Sequence, residues 1–83
     1  MSLANIIVKS WKPRSKPGVN LQHKVVVCYQ QDDVKVEIAK VDEADEADMM
    51  LCIIGDQQKL VDVQECRNFA RVLLNNGFSR VQA

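Results

Sequence analysis

The chain predicts an α+β fold: a small two-layer domain with a four- to five-stranded, mainly antiparallel sheet covered on one face by a C-terminal amphipathic helix. Three observations predict it. Short apolar, β-branched runs alternate with polar turns through the first two thirds of the chain. Residues 34–40, VKVEIAK, alternate apolar and polar with the period of a strand. Residues 63–76 carry apolar side chains at helical spacing between a start and a stop signal.

Residues 4–11, ANIIVKSW, are apolar, rich in β-branched side chains and bounded by Lys12-Pro13. They predict a first strand, because proline disfavours helix for the residue before it. KPRSKPGVN, with two prolines and a glycine, predicts a loop. A second strand is expected over 23–30, HKVVVCYQ, and a third over 34–40. A turn at Asp32-Asp33 would set Tyr29 opposite Val36 and Val27 opposite Ile38, giving one continuous apolar face. Asp tolerates left-handed backbone less readily than Gly, so a longer, bulged turn is the alternative.

Residues 49–54, MMLCII, read as a buried strand ended by Gly55-Asp56. Asp62 and Glu65 then form a capping box. Val63, Cys66, Ala70 and Leu73, flanked by Phe69 and Leu74, make the apolar stripe of a helix over 63–76. Asn75-Asn76-Gly77 closes that helix, with Phe78 sealing its end. Arg67, Arg71 and Asn75 form an outward polar row. Residues 78–82 alternate and predict a last edge strand. The open face of the sheet is expected to be polar or buried in a partner.

Size limits what such a chain can do. Its 83 residues suffice for one domain that buries only about 60–65% of its unfolded surface, so a deep closed active site would consume the core. With 47% apolar residues the composition is that of a folded protein, yet no apolar run approaches the roughly 20 residues of a membrane span. The N-terminus lacks the basic start and long apolar run of a signal peptide. Cys28, Cys52 and Cys66 are widely spaced, form no CxxC pair and sit among apolar neighbours. They read as reduced, buried thiols, which with the N-terminus points to a cytoplasmic home.

VDEADEADMM, residues 41–50, spells DEAD twice. A helicase needs a phosphate-binding loop of the form GxxxxGK[ST], and none of the three glycines begins one. The acids lack the spacing and central glycine of a calcium loop. The run is read as a charged connector, either a solvated turn or a single helical turn capped by Asp42. No metal site and no cofactor are expected.

Catalysis has little to work with. His23, the one histidine, is five positions from Cys28 on the same strand, and an odd offset sets them on opposite faces unless a bulge intervenes. No serine lies in a nucleophile-elbow pattern. No catalytic residue is assigned, and the chain is expected not to be an enzyme.

Net charge is zero but unevenly distributed. Residues 1–31 hold Lys9, Lys12, Arg14, Lys16 and Lys24 and no acid, whereas all eleven acids fall in 32–66. If that segregation reached the surface, it would favour an anionic partner, a basic partner or head-to-tail self-association. The first functional expectation is a regulatory or interaction module that binds another protein, or a second copy as a homodimer, through a sheet edge or face. The second is a nucleic-acid-binding accessory protein, in which Lys9, Lys12, Arg14 and Lys16, joined by Arg67 and Arg71, meet phosphates while Trp11 stacks on a base. A third is a small-ligand-binding or sequestering protein with a pocket between subunits.

Overall fold

A computed structural model describes residues 3–17, 22–41 and 48–81. Residues 42–47 of the acidic connector, 42–48, lie outside them. The order of elements is α1 (Leu3–Ser10), β1 (Ser15–Pro17), β2 (His23–Gln31), β3 (Val34–Val41), β4 (Met49–Ile54), β5 (Gln57–Asp62), α2 (Val63–Asn75) and β6 (Ser79–Val81). Six strands form one antiparallel sheet in the order β1-β5-β4-β3-β2-β6.

The central hairpin follows its sequence pattern. Tyr29 pairs with Val36 and Val27 with Ile38, across a two-residue turn in which Asp32 takes a left-handed φ of 52°. Val34, Val36 and Ile38 are buried on one face. Beyond Val27 the register shifts by one, so that Val25 opposes Ala39 and Val26 forms a bulge. α2 also starts and stops where its signals lie. The Asp62 carboxylate accepts a 2.8 Å hydrogen bond from the Gln64 N–H, and the Val63 N–H donates to the Asp48 carbonyl at 3.0 Å. At the other end Gly77 adopts φ 94°, and the Phe78 N–H donates to the Leu73 carbonyl at 3.0 Å, the closure of a Schellman motif. Phe78 is buried there, and β6 pairs with β2 from Ser79 onward.

Three expectations are corrected. Residues 3–10 form a helix, not a strand. Ala4, Ile7, Val8 and Trp11 recur at spacings of three and four, and this stripe packs into the core beside Phe69 of α2. The β-branched side chains of Ile6, Ile7 and Val8 weaken a helix only slightly, and burial of the stripe outweighs that preference. Pro13 acts as expected in ending the element, since α1 stops at Ser10. Second, Gln57–Asp62 is a strand. Gly55, with φ 59°, turns the chain so that Leu51 pairs with Leu60 and Met50 with Val61. Third, the predicted loop contains β1, whose three residues pair with the outer side of β5. The sheet therefore has six strands among the described residues rather than four or five, and α2 shares its face with α1.

The core lies between that face and the two helices. Tyr29, Val36, Ile38, Cys52 and Val61 from the sheet meet Cys66, Phe69 and Leu73 from α2 and Ala4 from α1. On the opposite face Ala39, Leu51 and Leu60 line up across β3, β4 and β5, rimmed by Val25, Val41, Met49 and Ile53. No helix among the described residues is long and apolar enough to cross a membrane.

Candidate functional site: a lysine-lined cleft

The loop following α1 carries its basic residues to the end of the sheet that holds the β2–β3 and β4–β5 turns. Because β3 and β4 run antiparallel, Val34 at the start of one lies near Ile54 at the end of the other. The C-terminal part of α1 and Pro13 roof this end and leave a cleft of about 780 Å³. Lys9 and Lys12 border it from α1 and its loop, Lys35 from β3 and Lys59 from β5. Val8, Trp11, Val34 and Ile54 contribute apolar wall, and Asp33 and Asp56 stand at the two turns.

Trp11 is the side chain that holds the roof down. Its indole stacks on the Phe69 ring with centroids 3.8 Å apart and planes 3° apart. The helix ends just before it, with the Trp11 N–H donating to the Val8 carbonyl at 3.3 Å and the Ser10 hydroxyl donating to the Ile6 carbonyl at 2.6 Å. One ring face of Trp11 is thus committed to the core, which leaves only the other for stacking on a ligand.

The structure divides the basic residues singled out by the sequence. Lys9, Trp11 and Lys12 come together in the cleft. Lys16 borders a shallower hollow alongside it, which shares Asp56, Gln57 and Lys59 with the cleft. Arg14 is exposed and lines neither, and Arg67 and Arg71 stand on the exposed side of α2 without lining either. Lys35 and Lys59 were not singled out. They lie in the acid-rich part of the sequence, and only the pairing of β3, β4 and β5 brings both to the cleft, Lys59 on the face that α1 covers and Lys35 at its edge from the opposite face. Their one sequence signal is position: each stands one to three residues from a turn.

His23 and Cys28 show a different effect of tertiary structure. The bulge at Val26 reverses the parity of β2, so the two residues share a face, His23 opposite Val41 and Cys28 opposite Glu37. Four register steps still separate them, about 13 Å. The three thiols are free and buried. Burial pushes Cys52 up to about 12, with the neighbouring Cys66 adding to the effect, and pushes Cys66 up to about 11, with help from Asp62 and Glu65. Burial raises Cys28 as well, against the pull of Lys35. At neutral pH all three are protonated and weakly nucleophilic.

The sheet edges are blunted. β1 and β6 have three residues each, and β1 contains Pro17. Among the described residues β6 pairs with β2 at 28–30, and farther along β2 Lys24 and the Val26 bulge are two features that discourage strand addition. No family model, no curated protein and no solved structure matches the chain.

Proposed function

We propose that this protein is a small non-enzymatic interaction module that holds an acidic segment of another protein in the lysine-lined cleft. The observation that supports the reading is that Lys9, Lys12 and Lys59, from two separate elements and a loop, border one cleft around a half-buried tryptophan, with Lys35 reaching its edge from the other face of the sheet. Lysine stems offer apolar surface and their heads offer charge, which suits a peptide with alternating carboxylates and small apolar residues. Asp33 and Asp56 at the two turns repel carboxylates and phosphates alike and so leave the lysines to hold an anion. The arginines that would extend a nucleic-acid footprint lie outside the cleft, so nucleic-acid binding ranks second.

Trp11 is the only tryptophan, and its emission reports on the cleft. The test titrates a tryptophan-free peptide rich in Asp and Glu, and in parallel a single-stranded oligonucleotide, while following that emission. The peptide should change it with an affinity that falls as salt rises. Changing Lys12, Lys35 and Lys59 together to Gln should weaken binding by about tenfold to a hundredfold, at roughly 0.5–1 kcal/mol for each exposed charge pair lost. A peptide that leaves the emission unchanged, with an oligonucleotide that alters it and loses affinity steeply with salt, would replace this reading with the nucleic-acid one.

A further inference from the structure

We infer that the acidic segment the cleft receives is the run Asp42, Glu43, Asp45, Glu46 and Asp48 of a second copy of the same chain, so that the protein associates head to tail. The inference rests on the cleft reading above and names its partner. Three observations carry it.

The first is charge. The run holds five carboxylates within seven residues, and the cleft is bordered by four lysines against two aspartates. The alanines at 44 and 47 give the run small apolar positions between its acids.

The second is placement. The run joins Val41 to Met49, and those residues lie at one end of β3 and β4, whereas the cleft lies at the other, by Val34 and Ile54. Donor and receptor therefore sit at opposite ends of the sheet.

The third is reach. Val41 to Val34, the wall of the cleft on β3, spans seven residues of strand, about 23 Å. A connector of seven residues that leaves and returns at the same end extends at most about 14 Å from its roots. A chain of that length can approach Lys59, whose partner Cys52 is three steps from Met49, but it cannot fill its own cleft as far as Val34 and Ile54. A second molecule has no such limit.

A contact between two different patches does not close on itself as a two-fold dimer does, so association continues into chains or rings. Sedimentation velocity on the full chain at rising concentration tests this at low and raised salt. The expected result is a mass that grows with concentration at low salt and collapses to monomer when salt is added. Two variants separate the halves of the contact. One carries Asp42→Asn, Glu43→Gln, Asp45→Asn, Glu46→Gln and Asp48→Asn; the other carries Lys9→Gln, Lys12→Gln, Lys35→Gln and Lys59→Gln. Each alone should be monomeric. Mixed, they should form a one-to-one complex that grows no further, because only one acidic run and one cleft remain intact between them.

A synthetic peptide of residues 41–49 supplies a readout that needs no variant. It should dissolve the wild-type assemblies and change Trp11 emission. A wild-type chain that stays monomeric at every concentration overturns the inference. If an unrelated acidic peptide still alters Trp11 emission in that case, the cleft reading survives; if it does not, both fall. Assemblies that persist in either variant, or a mixture that does not pair, overturn the head-to-tail contact in particular.

Discussion

Gly77 and Gly55 both hold positive φ, at 94° and 59°, but their surroundings differ. A Cβ on Gly55 meets nothing within 4 Å, whereas one on Gly77 would sit 2.8 Å from Nε2 of Gln31. Gly55→Ala should cost about 1 kcal/mol, the backbone strain alone. Gly77→Ala should cost about 2 kcal/mol, and the excess should shrink in a Gln31→Ala background, as a double-mutant cycle by urea unfolding would show. The thiols set a second residue-level expectation. An unfolded cysteine loses its proton near 9.0, while folded Cys52 and Cys66 hold theirs to about 12 and 11. Above pH 9 the unfolded chain binds fewer protons than the folded one. The stability these thiols contribute is therefore complete below pH 9 and declines as pH rises toward 11. Urea midpoints measured from pH 7 to 10.5 should fall over the upper part of that range, and Cys52→Ala should flatten the slope whatever it does to the midpoint at pH 7. An unchanged slope would mean that burial of Cys52 does not govern the decline.

At the scale of elements, α2 was legible because its signals are local: a carboxylate at the cap, a stripe at 3.6-residue spacing and a glycine at the stop. Asp62→Ala removes the 2.8 Å bond to Gln64 and should cost about 1 kcal/mol in thermal or urea unfolding, with no change in fold. α1 was misread because ANIIVKSW satisfies both templates: its residues are β-branched, as in strands, yet Ala4, Ile7, Val8 and Trp11 share one helical face. What selects helix is Phe69, which gives Trp11 a ring to stack on, and Phe69 is 58 positions away. Trp11→Ala should cost about 2 kcal/mol, less than a fully buried tryptophan because the ring is half-exposed, and should loosen α1 before the sheet. Hydrogen exchange would show it as lost protection over 6–11 with β3 and β4 still protected. Ile6→Ala, at a position 49% exposed, should change little. β5 went unread for a related reason. Gln57, Gln58 and Lys59 show no alternation, and their extended state comes from the backbone of β4, joined at Lys59 by that of β1.

For the molecule as a whole, 83 residues imply a total stability of about 4–12 kcal/mol. Phe78 closes α2, leads into β6 and is buried against the core, so one side chain ties the last helix to the sheet. Phe78→Ala should cost about 3–4 kcal/mol, a quarter or more of that total, and lower the urea midpoint by roughly 3–4 M at a slope of about 1 kcal/mol per M. A change below 1 kcal/mol would show that the C-terminal closure is peripheral. The sequence by itself determined the α+β class, the central hairpin with its register from the turn to Val27, the strand at 49–54 and α2 with both ends. Each of these rests on neighbours close in sequence, through side-chain period, turn residues and caps. Only the tertiary structure decided whether 3–10 is helix or strand, that 57–62 joins the sheet, and which lysines meet. Strand pairing brings together residues as distant as Lys9 and Lys59, and the chain records no local trace of that meeting, because the free energy that selects it is the burial of a core shared by every element.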